Sequence, residues 1–143
     1  MRLTAEALKI ELIEFPVHQG SDLQSAFGAM AAKPVGAVVL TEDPVLIYDA
    51  ETNAKLAAKY QLASCGFIEF AQAGGLLGYG VNYLDMWRYA ATFVDKIFKG
   101  AKPADIPVER ATKFVVVANL KTAKAIGIDI PTALLLRADE VIE

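Results

Sequence analysis

Hydrophobic and polar residues follow one another in this chain in an order that predicts strands and helices in turn. Lys9–Phe15 is apolar at nearly every second position, which predicts a strand with one wetter face that ends at Pro16. Apolar residues recur at helical spacing over Leu23–Met30, and Ser21 is its predicted N-cap with Gln24 completing a capping box. This part of the chain therefore predicts a strand followed by a helix.

The same alternation continues through the first half of the chain. The unbroken apolar run Ala37–Leu40 predicts a parallel strand that is buried on both faces. A helix over about Glu51–Tyr60 and a second buried strand over Leu62–Phe67 follow it. Because strands that are joined by helices form right-handed crossovers, residues 1–67 predict a parallel sheet and an α/β fold.

The second half keeps strands and helices but changes in character. A strand bracketed by glycines, Gly74–Gly80, leads into a helix from Tyr83 to about Lys99, which Asn82 or Asp85 can cap. The later predicted elements are an extended linker, a strand, a short helix and a final turn, at 102–107, Phe114–Ala118, Lys121–Ala125 and from Pro131. We expect three segments: an α/β lobe at 1–80, a helix and linker at 81–112, and a returning strand with short helices at 113–143.

Composition excludes several classes of protein. The 143 residues are 55% hydrophobic and 22% charged, which fits one compact domain or one lobe of a larger protein. The net charge of -3 argues against a nucleic-acid binder, which normally carries a basic stripe. No apolar run reaches the roughly 18 residues that a membrane span needs, and the first residues lack the apolar segment of an export signal.

The single cysteine and the single histidine raise the possibility of a nucleophilic site. Cys65 and His18 would lie near each other if the first and third predicted strands are neighbours, and Glu42, Asp43 or Glu69 would then orient the imidazole. The alternative interpretation is that Cys65 is a small buried hydrophobe and His18 a solvated loop residue. We favour the alternative, because lone residues of these types are common in inert domains.

Other kinds of chemistry find less support in the chain. The glycine-rich strand does not fit a dinucleotide motif, since Tyr83 stands where the third glycine would be, and no phosphate-loop lysine follows. We interpret its glycines as a hinge or a tight crossing of the backbone. The first strand is not followed by the acidic pair of a receiver domain, and no residues have metal-ligand spacing. We expect neither a cofactor nor a metal.

The aromatic helix Tyr83–Phe98 is the most informative physical feature of the sequence. Its apolar surface is much wider than the roughly 100° stripe of an ordinary surface helix. Burying one large apolar side chain contributes about 1.5–3 kcal/mol, so leaving several of them in water is costly. We therefore expect this helix to be covered by a missing lobe or by a second copy of the chain, as in a homodimer.

Several stretches of the second half carry a family resemblance. They are Gly66–Phe70, Ala73–Gly80, Tyr89–Ile97, Lys99–Glu109, Thr112–Phe114, Asn119–Gly127 and Leu136–Glu143. Together they resemble the substrate-binding proteins of ABC transporters, of the tryptophan/tyrosine-uptake type. The resemblance is specific over residues 60–143 and weaker, though collinear, over residues 8–59.

This resemblance implies a fold and a role. The fold is a type I periplasmic-binding-protein fold with two Rossmann-like lobes joined by a hinge, of which this chain resembles the second lobe without the first. The implied role is non-catalytic: binding of a small molecule such as an amino acid, and delivery to an ABC permease. The implied location is the periplasm, whereas the sequence as given shows no export signal and would stay in the cytoplasm.

The resemblance also implies ligand contacts at strand ends and at the hinge. Those positions are Thr41, Glu42, Asp43, Gly66, Phe67 and Tyr79. Phe67 and Tyr79 would stack on an apolar or aromatic ligand, and Glu42 or Asp43 would pair with an ammonium group. The backbone N–H at Gly66 would meet a carboxylate. Two other hypotheses stay open from the sequence: a cysteine-nucleophile hydrolase on the same scaffold, and a remnant without a ligand.

Overall fold

The computed structural model describes all residues from Met1 to Glu143. Five strands form one sheet: β1 (Val38–Val39), β2 (Ser64–Gly66), β3 (Leu77–Val81), β4 (Phe114–Asn119) and β5 (Glu140–Ile142). Eight helices accompany them: α1 (Arg2–Ala7), α2 (Leu23–Ala31), α3 (Pro44–Tyr48), α4 (Ala50–Lys59), α5 (Ile68–Gln72), α6 (Tyr83–Phe98), α7 (Leu120–Ala125) and α8 (Thr132–Leu135).

The sheet is mostly parallel and its strands lie in chain order from β1 to β5. The pairs β1–β2, β2–β3 and β4–β5 are parallel, which confirms the α/β class. The pair β3–β4, which lies outside the residues 1–67 that predicted a parallel sheet, is antiparallel. In this register Val81 at the end of β3 lies opposite Phe114 at the start of β4. The chain leaves the sheet at the end of β3, passes through α6 and returns at the start of β4, at the same end of the strands.

One apolar cluster of twelve buried residues holds the first half together. It joins side chains of α2, α4, α5 and β1, and Phe27, Phe67 and Phe70 are the largest of them. The α5 ring of Phe70 fits closely against backbone, since a Cβ added at Gly75 would lie 2.2 Å from its Cε1 and one at Gly66 would lie 2.9 Å from its Cδ1. Glycine at these two positions therefore makes room for an aromatic side chain under the sheet.

The predicted strand Lys9–Phe15 is wrong. The preceding residues form α1 instead, Lys9 follows it with a positive φ of 55°, and residues 11–17 make no backbone hydrogen bond. A β-strand needs backbone hydrogen bonds to a neighbouring strand. Strand β1 is the first strand of the sheet, and no further strand lies beside it.

The start of α2 also differs from the prediction. Ser21 lies within a single 3₁₀ turn, Gly20–Asp22, and does not cap the helix. The Asp22 carboxylate accepts hydrogen bonds from the backbone N–H groups of His18 and Gln19, at 3.1 and 3.2 Å. These two bonds hold the 3₁₀ turn, and no side chain bonds to the first N–H groups of α2.

Strand β1 is buried on one face rather than two. Val38 and Leu40 lie in the core, whereas the Val39 side chain between them is 58% exposed. The reason is that the chain places α2, α4 and α5 on the Val38 side of the sheet. The prediction of burial on both faces is therefore wrong for this strand.

Helix α6 is confirmed as a helix, and Asn82 caps it by accepting a hydrogen bond from the Asp85 N–H at 3.1 Å. No α6 side chain is buried, and Trp87 and Phe98 are 73% and 87% exposed. Most of the apolar surface of this helix is exposed, and among its side chains only Phe93 is half-buried. No helix of the protein combines the length and the apolarity that crossing a membrane requires.

Candidate functional site

The carboxyl ends of β1, β2 and β3 lie along one edge of the sheet, because these three strands run in the same direction. Open α/β sheets take their ligands at this edge, in the crevice beyond the strand ends. The loop after β1, the start of α5 after β2 and the start of α6 after β3 all lie there. This edge is therefore the candidate site.

A hydrogen bond joins two of these strand ends. The Tyr83 hydroxyl, in the first turn of α6, donates to Oε2 of Glu42 at 3.3 Å. Gly80 in β3 makes room for the same carboxylate, since a Cβ added at Gly80 would lie 2.7 Å from Glu42 Oε1. The contact positions the Glu42 carboxylate over the end of β3.

The electrostatics of this corner are negative. Burial raises the pKa of Tyr83, and the charge of Glu42, the hydrogen bond to it and the charge of Glu69 raise it further. Both carboxylates therefore act on one phenol from two different strand ends. The negative charges of Glu42 and Glu69 would attract a cationic group at this corner.

A shallow cavity of about 200 Å³ continues from Tyr83 along the sheet edge. Its nine lining residues are Ile68, Glu69, Gln72, Val81, Asn82, Tyr83, Leu84, Val115 and Glu140. The Gln72 side-chain amide donates to Oε2 of Glu140 at 3.1 Å, so this carboxylate is already partnered. No lysine or arginine lines the cavity, which makes it a place for a neutral or cationic group.

Three of the residues expected at the site lie in the exposed loop after β1. Thr41, Glu42 and Asp43 follow the strand directly and are all exposed. The Asp43 carboxylate accepts a hydrogen bond from the Val45 N–H at 2.9 Å and so caps α3. Glu42 is the carboxylate of this loop that faces the other strand ends.

The two expected aromatic contacts lie elsewhere. The Phe67 side chain is 1% exposed and packs edge-on against Phe70 in the core, so only its backbone is left to face a ligand. The Tyr79 ring stacks on Phe114 with centroids 5.4 Å apart, on the exposed face of the sheet. Gly66 is buried beside Phe70. A stacking role for Tyr79 stays a prediction.

Sequence reasoning missed Tyr83 and Glu69 as site residues. The sequence pattern places Tyr83 on the apolar surface of the aromatic helix, although it directly follows the predicted cap at Asn82. A cap that directly follows a strand places the first turn of the helix at the strand end, which is the signal that could have identified Tyr83. Glu69 follows a predicted strand and is a candidate partner for His18, but it is not among the predicted ligand contacts.

The cysteine and histidine do not form a pair. Burial raises the pKa of the Cys65 thiol, which disfavours the thiolate that a nucleophile needs. His18 lies in an exposed loop, its backbone N–H bonded to Asp22, and no hydrogen bond joins it to Cys65. No group of three or more His, Cys, Asp or Glu side chains is arranged to hold a metal ion.

The fold is that of an open α/β sheet, a class of proteins whose ligands bind at the carboxyl ends of parallel strands. Comparison with known proteins defines the class further: the model of the family described as ABC transporter substrate binding protein matches residues 1–142. The chain belongs to this family, which confirms the resemblance seen in its sequence motifs. No curated protein sequence matches it.

Solved structures agree with this assignment. A conserved domain protein from Vibrio cholerae is similar over 98% of this chain, with 26% sequence identity and a TM-score of 0.89. An ABC domain from Streptococcus pneumoniae in complex with L-Trp is similar over 98% of this chain, with 26% identity and a TM-score of 0.86. A ligand-free, open substrate-binding protein with adhesive properties from Clostridium difficile shares the fold, at 16% identity and a TM-score of 0.71 over 99% of this chain.

This chain spans about half the length of these proteins. It covers 47% of the Vibrio cholerae and Clostridium difficile chains and 49% of the Streptococcus pneumoniae chain. The match to proteins of the periplasmic-binding-protein type confirms the expected fold class.

Proposed function

We propose that this chain is one lobe of a solute-binding protein of an ABC uptake system, and that it binds an amino acid at the carboxyl ends of β1–β3. The observation that carries the proposal is the Glu42–Tyr83 contact, which presents a carboxylate at this edge in a member of a substrate-binding family. The role is binding without catalysis. The segments 1–80, 81–112 and 113–143 serve as lobe, hinge-following helix with linker, and returning strand.

The amino group of the ligand is the part that this lobe recognises best. Glu42 and Glu69 make the corner negative, and the cavity beside it lacks a basic residue. An ammonium group placed there donates a hydrogen bond to the Glu42 carboxylate and leaves the Tyr83 hydroxyl as a further polar contact. Thr41 and Asp43 flank this position, and the backbone near Gly66 and Phe67 is the proposed contact for the carboxylate.

The similarity to a protein that is solved with L-Trp supports an aromatic amino acid as the first ligand to test. The exposed Tyr79 ring is the proposed apolar contact on this lobe. Because this chain supplies one side of a cleft, we expect weak binding by the isolated chain. At a ligand concentration of ten times Kd, mass action stabilises the protein by about 1.4 kcal/mol, which corresponds to roughly 4 °C in Tm.

Thermal-shift and NMR titrations with L-Trp, L-Tyr and their decarboxylated and deaminated analogues test this proposal. Glu42→Gln keeps the size of the side chain but removes its charge, and we expect about a tenfold to hundredfold loss of affinity for ligands with an ammonium group. Glu11→Gln is the matched control, because Glu11 is an exposed carboxylate that does not line the cavity at the strand ends. Tryptamine should bind better than indole-3-propionate.

Two results contradict the proposal. Equal losses in Glu42→Gln and Glu11→Gln would show that Glu42 makes no specific contact. If no amino acid raises Tm, the chain is a remnant without a ligand.

The family places the complete protein outside the cytoplasmic membrane beside a permease, and we propose the same location and partner here.

We further propose that α6 pairs with α6 of a second copy to form a homodimer. The support is its broad apolar surface, on which Trp87 and Phe98 are 73% and 87% exposed. Trp87→Glu should turn the dimer into a monomer in sedimentation velocity, whereas Tyr48→Glu, at an exposed aromatic residue outside α6, should not. A wild-type chain that sediments as a monomer at about 100 μM would contradict this pairing, since stable dimers form at lower concentrations.

A further inference from the structure

Residues 82–113, which we call the arm, are attached to the rest of the chain at one place. They comprise α6 and the linker that follows it, and they lie between β3 and β4. Val81 at the end of β3 pairs with Phe114 at the start of β4, so the two ends of the arm meet side by side at the sheet. No backbone hydrogen bond joins the arm to any other part of the chain. The arm can therefore turn about this attachment unless another contact holds it.

The arm is held together by its own contacts. The Tyr89 hydroxyl donates to the Glu109 carboxylate, which ties the linker to α6. The Tyr89 ring also lies edge-on to the half-buried Phe93 ring, with centroids 5.4 Å apart. Two ion pairs lie along α6 itself. These contacts make the arm one body.

A single side-chain hydrogen bond crosses from the arm to the rest of the chain. It is the bond from the Tyr83 hydroxyl to Oε2 of Glu42, at 3.3 Å. No ion pair crosses in addition, and no side chain of α6 is buried. Beside this bond, Tyr83 and Leu84 line the shallow cavity together with Ile68 and Val115, which is a loose apolar contact. The Tyr83–Glu42 bond is thus the contact that fixes the orientation of the arm.

This hydrogen bond is suited to exchange. Its length of 3.3 Å exceeds the roughly 2.7–2.8 Å that is usual between two oxygen atoms, which makes it weak. The Glu42 carboxylate is exposed and lies over Gly80, where no side chain confines it. A neutral hydroxyl offers this carboxylate only a dipole, whereas an ammonium group adds the attraction between two full charges. An ammonium group at Glu42 therefore displaces the Tyr83 hydroxyl.

We propose that the Tyr83–Glu42 hydrogen bond is a latch that holds the arm in one orientation, and that an ammonium group bound to Glu42 opens this latch. Occupancy of the strand-end site then changes the freedom of α6 and of its exposed apolar surface. The coupling to a ligand rests on the proposed function, because that function places an ammonium group at Glu42. The latch itself does not depend on any ligand.

Residual dipolar couplings of the backbone amides measure how α6 is oriented relative to the sheet. In the wild-type chain without ligand, one alignment tensor should fit the arm and the five strands together. In Tyr83→Phe, which removes only the hydroxyl, we expect the couplings of α6 to shrink by about a third or more relative to those of the strands, because the arm samples several orientations. Tyr89→Phe is the matched control, since it removes a hydroxyl–carboxylate bond within the arm and should leave the couplings as in the wild type.

A second variant keeps the test valid if Tyr83→Phe does not fold. Glu42→Ala breaks the same hydrogen bond from the other side, and the couplings of α6 should shrink in it as well. Unchanged couplings in the folded variants would overturn the latch, as would a wild-type arm that does not share the tensor of the strands. An equal change in Tyr89→Phe would also overturn it, since the orientation would then depend on contacts inside the arm.

Tryptamine is the probe for the ligand step, and indole-3-propionate, which lacks the ammonium group, should leave the couplings unchanged. Saturating tryptamine should shrink the α6 couplings of the wild type as Tyr83→Phe does, and should change nothing further in that variant. If tryptamine shifts the amide signals of Thr41 and Glu42 but not the couplings, the ligand step is wrong and the proposed function stands. If no ammonium ligand binds, the proposed function fails and the ligand step with it, whereas the two variants still decide the latch.

Discussion

Replacing Gly75 by alanine tests how α5 is held beneath the site. A Cβ at this position would lie 2.2, 2.4 and 2.5 Å from Cε1, Cδ1 and Cζ of Phe70. Carbon atoms in contact normally lie about 3.5–4.0 Å apart, so the ring must move by more than 1 Å, by subtraction of these distances. The Phe70 ring is fully buried and has Phe67 against its edge, which leaves it little freedom to move.

We expect Gly75→Ala to lower the free energy of unfolding by about 3 kcal/mol, at the upper end of the usual cost of overpacking. Gly36→Ala is the control, because a Cβ there meets nothing within 4 Å. Both substitutions reduce the freedom of the unfolded chain alike, an effect of about 0.4–1 kcal/mol in favour of folding. Urea unfolding at equal m-value measures the difference between the two variants.

A double-mutant cycle identifies the cause of the loss. If the Phe70 ring causes it, Phe70→Leu should relieve the clash, and the double variant should be more stable than the sum of the single effects by over about 1 kcal/mol. Additive effects would refute this explanation, as would a Gly75→Ala variant within about 0.5 kcal/mol of Gly36→Ala. In either case the close packing of Phe70 on Gly75 does not control the position of α5.

Three further predictions concern single side chains. Glu42→Gln should lower the raised pKa of Tyr83, which ultraviolet titration measures with Tyr83→Phe as the blank. Because the pKa of Tyr83 is raised in the folded state, the neutral phenol contributes fully to stability below about pH 10. This contribution is lost as the pH rises further. Asn119→Ala should lower the free energy of unfolding in urea by about 2–3 kcal/mol, because this buried amide caps α7 and donates to a carbonyl of α5. Asn82→Ala, at the cap of α6, should lower it by no more than about 1 kcal/mol. Alkylation of Cys65 should stay slow until the pH exceeds about 9, because burial raises the pKa of this thiol, and fast labelling at pH 7 would revive the nucleophile hypothesis.

Much of the candidate site followed from one rule about parallel strands. The sequence placed Glu42 after a buried strand, and the rule that ligands meet strand ends selected it. Phe67 was selected by the same rule, but its ring turns into the core because the chain enters α5 directly after it. Which way a side chain at a strand end turns depends on the element that follows, and that is decided by packing.

The amino-acid sequence alone determined the helical character of Tyr83–Phe98, its Asn82 cap, the glycine-rich strand and the family, because each of these depends on residues close together in the chain. Only the tertiary structure decided that Lys9–Phe15 pairs with no strand, that Val39 faces outward and that Tyr83 reaches Glu42. Hydrophobic periodicity reports which face of a segment is apolar. Whether another part of the molecule covers that face, or forms backbone hydrogen bonds with the segment, depends on contacts between residues that lie far apart in the chain.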